Sequence, residues 1–269
     1  WRGIWKGNQT ISLRPAQSVH SSVVLLQIAF GHGVHANPMP ACYTSKTFPL
    51  NNAHHCRADD GAFDDVRNSM NFDIIYKDVT GSTNDDVWDL ANHGAHPGVA
   101  VRALRQESGR GQWKTRPWVS PEGGLYFSVL LEPRIPEEEF PSMSPRLAEA
   151  VARIVRSIAG VTENEIWVKP ANDVMCEAGK LCGMSLDAKD GRVVLGVGLN
   201  VFHPKEPIVT DGRNVAAYVC DLGTEESRSL PFANALSNPL LRVQYLDAVM
   251  QGLLGAIDLE LSAIECEHI

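Results

Sequence analysis

Residues 71–264 are predicted to form a mixed α/β (α+β) domain, because three kinds of pattern share that stretch. Val99, Val101 and Ala103 alternate with the period of two that a strand requires. Leu147, Val151, Ile154, Val155 and Ile158 recur at helical spacing, as do Leu246, Val249, Met250, Leu253, Leu254 and Ile257. Between two apolar runs, Lys189-Asp190-Gly191 has the chemistry of a hairpin turn.

Taken in order, Phe72 to Tyr76 reads as a short strand. Ser82-Thr83-Asn84 can cap a helix whose Val87, Leu90 and Ala91 share one face and which Gly94 stops. After the strand at Val99, a second apolar run, Leu125 to Leu131, carries Tyr, Phe and Val and reads as another strand. Ser144-Pro145 is expected to start the next helix, with proline at its first position, and Gly160 to end it. Strands are expected at Ile166 to Lys169, Leu181 to Asp187 and Arg192 to Val201, and Asn238-Pro239 opens the last helix. Residues 1–70 hold five of the nine histidines (His20, His32, His35, His54, His55) with little periodicity. They are assigned no fold, and disorder is one reading of them.

Composition excludes several classes. A chain of 269 residues with 44% hydrophobic and 21% charged residues is neither disordered nor fibrous. The formal charge of -8 opposes a whole-protein attraction to nucleic acid, so any anion site is local. No helix-turn-helix is evident, and no nucleic-acid partner is expected. The apolar run Val23 to Phe30 is far shorter than the roughly 20 residues of a membrane helix, so no membrane partner is expected either. The six cysteines show no framework spacing, which fits reduced thiols and a cytoplasmic location. Cys42 to Cys56 with His54 and His55 matches no standard zinc spacing, and no resident metal is expected.

Three segments carry chemistry. Gln106 to Trp118 lies between two strands and contains Gly109 and Gly111, whose backbones let an anion approach, with Arg110, Lys114 and Arg116 supplying three cations within seven positions. Such a loop suits phosphate, although a solvated basic turn has the same composition. Lys169-Pro170-Ala171-Asn172-Asp173 runs from a strand into a turn and is followed by Gly179-Lys180-Leu181-Cys182-Gly183. Leu195-Gly196-Val197-Gly198-Leu199-Asn200 puts glycines inside a strand, where a ligand or another backbone comes close. No Walker loop, HExxH or GxSxG is present.

In this order, the segments with Ser82-Thr83-Asn84, Ser120-Pro121 and Gly124-Leu125-Tyr126 resemble the catalytic domain of the biotin–protein ligase family over about residues 72 to 260. The resemblance implies a mixed, largely antiparallel sheet flanked by helices, similar to class II aminoacyl-tRNA synthetase cores. It also implies activation of biotin with ATP and magnesium to biotinyl-5'-AMP, and transfer to a lysine of a carboxylase's biotin carrier domain. It assigns Ser82, Thr83, Asn84, Gln106, Gly109, Gly111 and Gly183 to biotin. Trp118, Asn172, Asp173 and Asn200 fall to the adenylate, with Asp173 a partner for a metal or a lysine. Arg110 and Lys180 fall to both ligands and to catalysis, as electrostatic clamps on the carboxylate and α-phosphate. A homodimer is compatible with the resemblance.

Two departures stand out. The family's usual Lys-Trp-Pro-Asn-Asp is Lys-Pro-Ala-Asn-Asp here, and the glycine-arginine loop is one residue longer before its tryptophan. Neither a repressor function nor the small barrel domain that often follows in the family is expected. A lipoate or octanoate ligase of the same fold and a non-catalytic biotin-binding regulator are the alternative readings.

Overall fold

The computed structural model describes residues 12–13, 69–112, 117–205 and 215–268. The apolar run at Val23 and the His54/His55 segment lie outside the described residues, as do Lys114 and Arg116.

The described residues build one mixed sheet of eight strands in the order β1-β2-β3-β4-β8-β7-β6-β5. The strands are β1 (Ser12–Leu13), β2 (Asp73–Thr80), β3 (Val99–Gln106), β4 (Leu125–Leu131), β5 (Ile166–Lys169), β6 (Asp173–Cys176), β7 (Gly179–Lys189) and β8 (Arg192–Leu199). Only β2 and β3 pair in parallel, and helix α1 (Thr83–Asn92) is the crossover between them. Every other neighbouring pair is antiparallel.

The two faces of the sheet are covered differently. On one, α1 packs Val87 and Ala91 against Val101, Leu130 and Val194. On the other lie α2 (Phe140–Ala159), α3 (Leu230–Ser237) and α4 (Pro239–Cys266), and that face holds the main core. Strand β4 is buried on both faces, which is why its sequence is nearly continuous in apolar residues. Ser128 is its single polar residue.

Local chemistry explains the element ends. Asp190 and Gly191 both take positive φ between paired Lys189 and Arg192, so the expected hairpin is a two-residue Asp-Gly turn. The Asn238 side chain caps α4 by accepting from Leu240 N at 3.0 Å. Gly160 ends α2 in the left-handed region, where a Cβ would also stand 2.2 Å from Ser227 O.

The helix expected to begin at Ser144-Pro145 begins instead at Phe140 and carries Pro145 inside its second turn. That proline removes one backbone hydrogen bond, whereas starting earlier buries Phe140 and Met143. Strand β2 runs to Thr80, past the expected Tyr76, and β8 stops at Leu199 instead of Val201. Strand β6 and helix α3 were not expected. Each is short, at four and eight residues, and offers too few periods to be read.

A buried ion pair ties sheet to helix. Arg102 of β3 points into the main core, where its guanidinium meets Asp247 of α4. Nearer the chain's start, Asp258 of α4 accepts from Met70 N at 3.0 Å and from Ser69 Oγ at 3.1 Å. Removing the carboxylate that faces Arg102 takes an anionic partner from a buried guanidinium. Asp247→Ala is therefore expected to lower the unfolding free energy by about 3 kcal/mol. The check is the urea midpoint of the variant at unchanged m value, and a midpoint equal to wild type would contradict this account.

Candidate functional site

The site lies on the α1 face of the sheet, beyond the end of α1 itself. It is built on the register of β7 and β8, which sets Gly183 opposite Gly198 and Ser185 opposite Gly196. These glycines form a floor. A Cβ at Gly198 would stand 2.5 Å from Trp118 Nε1, and one at Gly183 would stand 2.8 Å from Trp118 Cζ3. The indole of Trp118 thus lies directly on the strand backbones, which no larger residue at either position allows. Its Nε1 is buried without a hydrogen-bond partner among the described residues.

Beside this floor, a polar network crosses from α1 to three strands. Gln106 Oε1 accepts from Thr83 N at 2.9 Å, while Gln106 Nε2 donates to Ser120 Oγ at 2.9 Å. Ser128 Oγ donates to Asn84 Oδ1 at 2.6 Å, and Asn84 Nδ2 donates to Ser185 Oγ at 3.0 Å. The Thr83 hydroxyl lies 2.7 Å from Ser128 Oγ and 3.1 Å from Gln106 Oε1, to which it donates. The contacts run from Gln106 through Thr83, Ser128 and Asn84 to Ser185. Gly196 makes room for this chain, since a Cβ there would stand 2.3 Å from Asn84 Oδ1. Ser82 occupies the N-cap position of α1 and is buried, but its side chain makes no cap hydrogen bond.

The glycine-arginine loop leans on both halves. Glu107 N and Ser108 N donate to Thr80 O and Gly81 O at 2.9 and 2.8 Å, and Trp118 N donates to Gly109 O at 2.7 Å. Gly109 is packed so closely that a Cβ would stand 2.5 Å from Trp118 O. Past the half-buried Gly111, the Gln112 amide pairs with both backbone groups of Leu186 on β7, at 2.7 and 3.0 Å. Arg110 is ion-paired with Asp85 in the first turn of α1. Both partners are substantially exposed, so that pair contributes at most about 1 kcal/mol. Arg110 is therefore easily released.

Lys180 is held more firmly. Its backbone N donates to Val215 O at 2.8 Å, and its O accepts from Ala217 N at 3.0 Å and from Asn200 Nδ2 at 3.1 Å. The side chain pairs with Asp173 at 2.6 Å and passes over the Trp118 ring at 5.0 Å from its centroid. Asn172 donates its amide to Met184 O, which fixes the turn that carries Asp173. In the neighbouring core, burial pushes the Cys182 thiol up to about 12 against the opposing effect of Lys180, so Cys182 is packing and not a nucleophile.

Arg110, Trp118, Lys180, Asp173, Gly183 and the Thr83–Asn84–Gln106 network therefore share one sheet face, linked through Trp118. The amide nitrogens of Asn200 and Asn172 are used on backbone carbonyls. Sequence reasoning passed over Ser128 and Ser185 as site residues. A hydroxyl isolated in an otherwise apolar strand was the available sign at Ser128. It also passed over a second cluster, in which the ligand atoms of His203, Cys220 and Asp221 lie within 4.8 Å of one another. Sixteen residues lie between His203 and Cys220, so no spacing rule joins them.

Comparison with known proteins gives this arrangement a context. Residues 76–201 match the Biotin/lipoate A/B protein ligase family. The chain is 30% identical over 159 residues to the Bifunctional ligase/repressor BirA of Bacillus spizizenii, covering 57% of this chain and 48% of that protein. It is 33% identical over 166 residues to a Biotin--[acetyl-CoA-carboxylase] ligase of Mycobacterium tuberculosis, covering 61% of this chain and 59% of that protein. The chain thus spans about half the length of these relatives. A point mutant of the biotin protein ligase from Aquifex aeolicus in complex with biotin shares the fold at a TM-score of 0.54 and 22% identity, over 71% of each chain. The biotin protein ligase of Leishmania major in complex with biotinyl-5-AMP does so at 0.50 and 20%, over 72% of this chain and 75% of that one. Residues 76–201, whose strands and glycine floor carry the site, are thus similar to the Biotin/lipoate A/B protein ligase family.

Proposed function

We propose that the chain is a biotin–protein ligase, with residues 71–264 as its catalytic domain. The reaction joins biotin to ATP as biotinyl-5'-AMP and passes the acyl group to a lysine of a carboxylase's biotin carrier domain. The observation that carries this reading is the meeting of the Arg110 loop and Lys180 at one glycine floor, beside a buried chain of hydroxyl and amide groups. The name of the Mycobacterium tuberculosis relative supports the choice of biotin.

In the first step a carboxylate oxygen of biotin bonds to the α-phosphorus of ATP, the bond from that phosphorus to its bridging oxygen breaks, and pyrophosphate leaves. Two anions must approach each other, so fixed cations stabilise both the encounter and the charge that builds on phosphorus. Lys180 suits that task because three backbone hydrogen bonds hold its main chain before any ligand arrives. Arg110 is the movable counterpart, exchanging Asp85 for the ligand's carboxylate and phosphate. In the second step the acceptor lysine's neutral amine attacks the acyl carbon, the bond to AMP breaks, and the amine loses a proton.

Thr83, Asn84 and Gln106, joined by Ser128 and Ser185, would hold biotin's polar head with Ser82 beside them. An unmet buried polar group costs about 1–3 kcal/mol, so a ready-made set of partners matters. Trp118 would cover the adenine side, with its unpartnered Nε1 left as a donor. Asn200 acts here by positioning Lys180, and Asn172 by positioning Asp173. One Asp173 oxygen already faces Lys180, so magnesium fits best as an ion carried by the nucleotide's phosphates, where it supplies charge neutralisation.

The decisive assay supplies labelled biotin, ATP and magnesium with an isolated biotin carrier domain. Label on the carrier lysine only when ATP is present supports the reading, and transfer of lipoate but not biotin would replace it with the lipoate alternative. Tight biotin binding without pyrophosphate exchange would favour a non-catalytic regulator. Lys180→Ala is expected to slow biotin-dependent ATP–pyrophosphate exchange by about 10²- to 10³-fold while the circular dichroism spectrum stays that of wild type. The two floor glycines separate the substrates. Gly198→Ala displaces Trp118 and is expected to raise KM for ATP about tenfold, whereas Gly196→Ala disturbs Asn84 and Ser185 and raises KM for biotin by about the same factor, each equivalent to ~1.4 kcal/mol. Steady-state kinetics on both variants measures this, and a reversed pattern would contradict the placement of the two ligands.

A further inference from the structure

We propose that His203, Cys220 and Asp221 form a binding site for a single zinc-class transition-metal ion, separate from the ligase site. The three side chains offer one imidazole nitrogen, one sulfur and one carboxylate oxygen, and these ligand atoms lie within 4.8 Å of one another. His203 Nε2 stands 2.7 Å from Asp221 Oδ1, and Cys220 Sγ stands 3.8 Å from the same oxygen. Two ligands at about 2.0 Å from a tetrahedral ion sit about 3.3 Å apart, so an ion would enter by opening the His203–Asp221 contact by about half an ångström. Cys220, whose sulfur sits about 3.5 Å from each other ligand in such a site, would close by about 0.3 Å on Asp221 and by as much as about 1.3 Å on His203. Rotation about side-chain bonds supplies both movements.

The backbone under the cluster is already set. Val219 N donates to Asn200 O at 3.0 Å and Cys220 N to Val201 O at 2.9 Å, so the segment after β8 and the turn at Val219–Asp221 are pinned side by side. The ring of Tyr218 lies 4.3 Å from that of His203 and limits its rotation, while Arg228 Nη2 donates to Cys220 O at 2.9 Å. Two of the three ligands are exposed and Cys220 is half-buried, so an ion has an entry path and the fourth position is open to water.

Sulfur with imidazole favours zinc, copper(I) or cobalt over magnesium and calcium, which prefer oxygen. Cys220 would bind as thiolate, releasing its proton to solvent. The bound ion would clasp the connection that leaves at His203 and returns at Cys220. That connection includes Val215 and Ala217, the backbone partners of Lys180. The ion would therefore stiffen the strand that carries Lys180 without touching substrate.

Cobalt(II) titration of the full chain under reducing conditions tests the site. The expected result is one equivalent of cobalt with a sulfur-to-metal charge-transfer band, displaced by zinc and unaffected by magnesium. Cys220→Ser is expected to abolish the band, and His203→Gln or Asp221→Asn to weaken cobalt binding at least about tenfold. A chain with Cys42 and Cys56 both changed to Ser is expected to keep the band. No charge-transfer band in the wild type, or a band that survives Cys220→Ser, would overturn the proposal, as would a band that disappears with Cys42 and Cys56.

Discussion

The pairing register of β7 and β8 is the constraint on which the candidate site rests. Because side chains alternate across a sheet, this register turns Gly183, Ser185, Gly196 and Gly198 to the α1 face together, and Leu195, Val197 and Leu199 to the main core. A slip of one residue would reverse both sets, exposing the core and filling the floor. The Asp190-Gly191 turn, which needs positive φ at both positions, locks the pairing from its end. A backbone turn and an apolar stripe thus determine where a ligand can lie.

On that floor, charge is arranged in two matched pairs. Arg110 faces Asp85 across the edge of α1, and Lys180 faces Asp173 between adjacent strands. These four charges sum to zero. The two pairs differ in strength. Exposure and screening make the arginine pair weak, while the lysine pair is mostly shielded and its backbone triply tied. One cation is free to travel with the loop and the other is fixed, which suits a reaction in which one reactant must be admitted and then gripped.

The sheet and its long helices were legible in the sequence because each spans several periods. The runs at Val99, Leu125 and Leu181, and the helical repeats after Leu147 and Leu246, all lie where they were expected. Phe140 shows where such reading stops, since the burial that draws the helix past Pro145 depends on a core no local window contains. At the site, the Gly-Arg loop, Lys180 and the glycine pair could be picked out as types but not as neighbours. Ser128 and Ser185 come together through strand order, β4 beside β8 beside β7, which sequence spacing does not encode. The same holds for His203 and Cys220.

A structure of the chain crystallised with biotin, ATP and magnesium tests the central claim most directly. The account predicts biotinyl-adenylate on the α1 face of the sheet, packed against the exposed side of the Trp118 indole, its phosphate within hydrogen-bonding distance of Lys180 Nζ, and Arg110 withdrawn from Asp85. Adenylate bound on the opposite face of the sheet, or bound on this face with Lys180 still closed on Asp173 and remote from phosphate, would contradict it.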